Sequence, residues 1–232
     1  MIENLLRLLH AEMLLILGTS VLVWLHRSRG GRSLRRPLVL LATAVHELAH
    51  GVAALISGAD FQKMEIYRDG SGVAWWHGRE SRFRSGFVSS AGYLGTATTG
   101  ALLIALRDGP IPQEMILQVF GLALLLSAGL YVRNGFGIAT VAALGGGIAA
   151  GGLFLPWPLL GLVCCVLGAG LWYEAWTSLA RVRRGTSSAG DLGVAGSDAH
   201  KVASLYGGTH RLWATTWMGL TLIALMCSIW VG

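Results

Sequence analysis

Residues 45–51 read Val-His-Glu-Leu-Ala-His-Gly. On a helix, positions four apart share a face, so His46 and His50 can present two imidazoles to one metal ion. Zinc accepts imidazole nitrogen well, and a catalytic zinc keeps three protein ligands and one open position for water. Such a metal lowers the pKa of its water to about 7. Glu47, next to the first histidine, can take the proton from that water as general base and return it later as proton donor. The same three residues can also be read as a buried polar cluster tying helices together, or as a proton or ion relay.

The element that positions them is an apolar run over 36–57. A membrane helix needs about 20 mainly apolar residues. The whole chain fits that solvent. Its 232 residues are 53% hydrophobic and only 13% charged, with a mean hydropathy of +0.59. A soluble domain is about 25% charged. The fold expected is an all-α polytopic membrane bundle forming one domain over 1–232. Seven candidate spans run over 5–26, 36–57, 85–106, 113–132, 135–155, 158–180 and 210–231. The fifth and sixth are parted only by Pro156-Trp157-Pro158, so they could be one broken hairpin, giving six. The first run ends in HRSRGGRSLRR without a small-residue cleavage site and reads as a retained helix. Of the 33 glycines, those inside spans read as close helix packing. Histidines and a glutamate at bilayer depth are costly unless paired or functional, which favours the metal reading.

Two connections are long enough to hold structure. In 58–84, Met64 and Ile66 alternate with polar residues, Asp69-Gly70-Ser71-Gly72 offers a turn, and Val73 to Trp76 is β-prone, which predicts a β-hairpin. Read otherwise, it is a surface loop with Trp75 and Trp76 at the membrane interface. In 181–209, Ser197 can cap a short helix that ends at Gly207-Gly208. The net charge of +6 does not indicate nucleic acid, because the basic residues cluster between apolar runs, where flanking charges of membrane helices belong. Twelve Lys and Arg fall on the face shared with the N-terminus and six on the other. That places the N-terminus in the cytoplasm. Cys164, Cys165 and Cys227 lie in apolar runs and read as packing residues.

The chain resembles the site-2 protease family of intramembrane zinc metalloproteases, in its short bacterial branch without a PDZ domain. The likeness rests on His46-Glu47-Leu48-Ala49-His50 followed by Gly51, Ala53 and Ala54, and on the Ser57-Gly58 exit. It continues through the 69–72 turn, Ala91-Gly92-Tyr93-Leu94-Gly95, Arg133-Asn134 and Ser197-Asp198-Ala199. The resemblance implies a helical bundle in a bacterial membrane, with one Zn²⁺ per chain within the bilayer, reached by a polar cavity. It implies hydrolysis of membrane-spanning segments of other proteins, with residues 62–76 able to hold the substrate as an added strand. The oligomeric state is left open.

The family takes its third ligand from a Leu-Asp-Gly motif that this sequence lacks. Asp198, at a helix start, is the first candidate; a charge placed there by the helix dipole is the alternative. Asn134 is the second, as a ligand or as a group steadying the substrate carbonyl; the alternative is an Asn-Gly turn. Gly92, with Gly95, could permit the opening that admits substrate. Asp191 and His200 read as solvated. Glu174, His10, His26, His77 and His210 read as interfacial. Two other functions stay open: a transporter that passes a cation or protons through the His/Glu cluster, and a silent scaffold that binds membrane helices.

Overall fold

The computed structural model describes residues 31–79, 81–107, 109–185 and 196–231. Among them the order is α1 (Gly31–Ile56), β1 (Asp60–Ile66), β2 (Gly72–His77), α2 (Arg82–Leu106) and α3 (Gln113–Leu130). Then come α4 (Gly135–Phe154), α5 (Trp157–Arg184), α6 (Asp198–Tyr206) and α7 (His210–Val231). Six of these helices, all but α6, are long and apolar enough to cross a membrane. The expected span over 5–26 lies outside the described residues. α4 and α5 are separate helices. Pro156 takes the N-cap of α5 in an extended conformation (φ −66°, ψ 147°), and its missing N–H ends the preceding hydrogen-bond ladder.

Glycine sets the closest helix crossings. A Cβ at Gly100 of α2 would strike the Gly168 carbonyl of α5, and one at Gly121 of α3 would strike the Gly145 carbonyl of α4. Between apolar helices in lipid, such backbone approach is a main source of cohesion. Side chains pointing away from these seams are apolar and exposed, among them Val119, Leu126, Leu153, Phe154 and Met226. That is the surface a bilayer covers.

The hairpin forms as the alternation foretells. Asp69 Oδ1 accepts from Ser71 N (2.9 Å) and Ser71 Oγ (2.7 Å), closing the turn, and Gly70 takes the positive φ (+89°) that the turn needs. β1 and β2 pair antiparallel, with Ile66 opposite Gly72 and Asp60 opposite His77. The hairpin does not stand off the bundle. It folds back along α1, where Thr43 Oγ1 donates to the Gly70 carbonyl (2.7 Å) and an Arg36 N–H donates to the Arg68 carbonyl (2.8 Å). Met64 and Ile66 are fully buried in the main core with Leu41, Leu124, Val132 and Leu171.

The outer edge of β1 is also taken. Met64 N donates to the Tyr131 carbonyl (2.9 Å) and Arg133 N to the Met64 carbonyl (3.1 Å), a parallel bridge centred on Val132. A second, smaller core holds Tyr93, Leu179, Val182, Ala199, Val202 and Trp217. It fixes α6 against α2, α5 and α7.

Glu174 is covered by protein rather than exposed. It is buried in α5 and paired with Arg35 of α1 through two parallel bonds of 2.5 and 2.6 Å. A buried carboxylate is tolerated when a guanidinium fork meets both its oxygens.

Candidate metal centre

The helical repeat of α1 brings His46 and His50 side by side, with their Nε2 atoms 3.1 Å apart. His50 Nδ1 lies 2.7 Å from the Val88 carbonyl of α2. A carbonyl only accepts, so Nδ1 carries a proton and Nε2 is the nitrogen left to face a metal, the usual outer-shell device for orienting a metal-binding imidazole. Asp198, the first residue of α6, reaches the same point. Its Oδ2 lies 3.3 Å from His46 Nε2 and 3.2 Å from His50 Nε2. Three ligand atoms at bond lengths of about 2.0–2.1 Å around a tetrahedral ion would lie roughly 3.3 Å from one another. The observed triangle matches that spacing, and two imidazoles with one carboxylate are a donor set zinc accepts. Among the described residues this is the group of His, Cys, Asp and Glu side chains placed to hold a metal.

The surroundings hold this geometry. Gly92 of α2 lies against the histidines, and a Cβ there would overlap His46 Nε2 and Cε1 and His50 Nε2. The Tyr93 ring meets His46 edge-on at 4.6 Å between centroids. Ser197 caps α6 by accepting from His200 N (3.3 Å). Lys201, one turn on, brings Nζ to 3.4 Å from Asp198 Oδ1, the oxygen turned away from the histidines. Burial by itself would push the Asp198 carboxyl up, but the neighbouring His50 and His46 outweigh it and hold the group well below the usual carboxylate range.

Glu47 is buried beside these three side chains. Backbone covers it from the hairpin side: a Cβ at Gly72 would come within 2.8 Å of Glu47 Cγ and 3.0 Å of Oε1. Two cavities meet here. One, of about 180 Å³, runs from His46 and Glu47 past Thr43 and Ser71 to Glu174 and Arg181. The other, of about 320 Å³, lies between β2 and the start of α6 and is lined by His50, Val73, Trp76, Ser89, Asp198 and Lys201. Water takes about 30 Å³ in the liquid, so each can hold several molecules among polar partners.

The structure thus brings His46, Glu47, His50, Gly92 and Asp198 to one point. Asn134 stands elsewhere. Its side-chain oxygen accepts from Ile66 N (3.1 Å) and its nitrogen donates to the Ile66 carbonyl (2.7 Å), extending the bridge along β1 by one more pair of bonds. His200 is exposed on the outer side of α6, and Asp191, His10 and His26 lie outside the described residues. Tyr93 and Lys201 also border the site. Tyr93 was legible only as part of Ala91-Gly92-Tyr93. The Val88 carbonyl carries no side-chain signal at all.

A family model described as Peptidase M50B-like matches residues 13–229, almost the entire chain. No curated protein matches, and no solved structure does.

Proposed function

This chain belongs to the Peptidase M50B-like family, and on that footing we propose that it is an intramembrane zinc endopeptidase that hydrolyses peptide bonds in membrane-spanning segments of other proteins. The chain is an integral membrane protein of a peptidase family; the metal, the residue roles and the substrate class are our reading. One observation carries it: three donor atoms spaced 3.1–3.3 Å apart, with a buried glutamate beside them, where two polar cavities meet inside an apolar bundle.

In this reading His46, His50 and Asp198 hold one Zn²⁺ per chain. When bound, the ion supplies Lewis acidity to the scissile carbonyl and to a water. Glu47 accepts the proton of the attacking water and delivers it to the leaving amide nitrogen, so one carboxylate serves both half-reactions. His50 keeps its orientation through Val88, and Gly92 leaves room for both rings. The substrate must arrive unwound, since an intact helix hides its carbonyls in its own hydrogen bonds. With the outer edge of β1 occupied by 131–134, β2 offers the edge on which an extended segment can add, along the 320 Å³ cavity. The end bearing the starts of α2 and α7 and the end of α5 carries Arg82, Arg84, Arg183, Arg184 and Arg211, and in this reading it faces the cytoplasm.

The test is Glu47→Gln in proteoliposomes with single-span reporter segments. Cleavage should fall by about 10²–10⁴-fold, the usual worth of a general base, while zinc stays bound. Unimpaired cleavage would sink the mechanism. Glu174, in the same cavity as Glu47, favours a second reading in which the cluster passes ions. Zinc flux across the same vesicles without any proteolysis would establish that instead.

A further inference from the structure

Asp198 reaches the two histidines on a helix of nine residues that is not itself a span. Its position depends on how α6 docks. Asp198, Val202 and Tyr206 are spaced by four, so they share one face of α6. Asp198 stands at the site. Val202 is buried in the small core with Tyr93, Leu179 and Trp217. Tyr206 lies over α2, and its ring occupies the space that a side chain at Gly86 would fill. Its hydroxyl donates to the Arg82 carbonyl (2.8 Å). Just beyond, Trp213 Nε1 donates to the Gly207 carbonyl (2.9 Å), and the Tyr206 and Trp213 rings lie 6.0 Å apart.

We infer that Tyr206, seated on Gly86, is a positioning residue for the metal centre: it fixes the axial placement of α6 and so holds the Asp198 carboxylate at the histidines, eight residues away. The inference rests on the metalloprotease reading and deepens it. An α-helix rises 1.5 Å per residue and turns 100°. A slip of α6 by a fraction of a turn would therefore carry Asp198 Oδ2 out of the triangle, with the histidines undisturbed on α1. The coupling must run both ways: whatever α6 docking contributes to metal affinity, metal contributes to α6 docking.

The experiment uses the full-length chain in detergent, loaded with zinc, as wild type, Gly86→Leu, Tyr206→Ala and Tyr206→Phe. Two quantities are read: zinc loss to a chelator, and amide hydrogen exchange over 199–206. Gly86→Leu fills the seat from the other side, and Tyr206→Ala empties it, so the two reach the same state without sharing a residue. Both should lose zinc about 10-fold faster or more, the scale of an outer-shell defect. Tyr206→Phe, which keeps the ring, should lie between them and wild type. Exchange over 199–206 should quicken in both variants and in zinc-stripped wild type. Zinc retention equal to wild type in Gly86→Leu and Tyr206→Ala, or exchange over 199–206 indifferent to zinc, overturns the inference and leaves the protease reading standing. A wild type that takes up no zinc brings down that reading, and this one with it.

Discussion

Gly92 shows how little room the site leaves. Two imidazoles and a carboxylate converge where a single methyl group would overlap three ring atoms. Gly92→Ala should therefore release zinc and abolish cleavage while the helical content of the protein stays unchanged. Zinc stoichiometry equal to wild type in that variant would contradict the geometry. His46, Glu47 and His50 were legible in the sequence because their relation is local: the helical repeat alone puts the two rings on one face. Asp198 was legible more faintly, through the Ser197 cap that starts its helix and through likeness to a family pattern. Nothing local announces that its carboxylate meets His50 and, 152 positions earlier, His46. Asn134 is the opposite case. Its residue type suggested a ligand or a substrate contact, but its amide makes both of its bonds to the backbone of Ile66.

At the scale of elements, the hairpin and the 131–134 segment form one unit. The alternation of Met64 and Ile66 and the Asp-Gly-Ser-Gly turn were enough to place the hairpin. Its return along α1 was not readable, because it depends on glycine at 72 admitting Glu47 and on a parallel bridge to a segment 68 positions away. Asn134→Ala removes two bonds from β1. We predict faster amide exchange over 60–66, unchanged zinc content, and a KM that rises more than kcat falls, since the strand that supports β2 is loosened while the metal centre is not. Asn134→Asp can still accept from Ile66 N but cannot donate, and should fall between. A loss of zinc in Asn134→Ala would instead make Asn134 part of the metal centre. The sequence allows 135–180 to be one broken hairpin or two spans; Pro156, extended at the N-cap of α5, makes α4 and α5 separate helices.

Across the whole molecule, Arg35 and Glu174 join the first described helix to the fifth, and no sequence rule pairs residues 139 positions apart. Breaking a buried ion pair from one side leaves a charge without its partner, which costs about 3–5 kcal/mol, whereas apolar replacement of both is often neutral. Arg35→Met or Glu174→Leu alone should lower the unfolding temperature in detergent clearly, and the double variant should regain most of it. Additive losses in that cycle would mean that the two residues act independently. The glycine crossings at Gly100–Gly168 and Gly121–Gly145 were foreshadowed by the glycine content, which indicated close packing without naming the partners. The placement of Asp198 on α6 also has a consequence in time. A ribosome adds about 5–20 residues per second, so the 152 positions between His46 and Asp198 correspond to roughly 8–30 s of synthesis. Through that interval the nascent chain carries both histidines and Glu47 but lacks Asp198. The triangle of His46, His50 and Asp198 can close only as the last helices emerge.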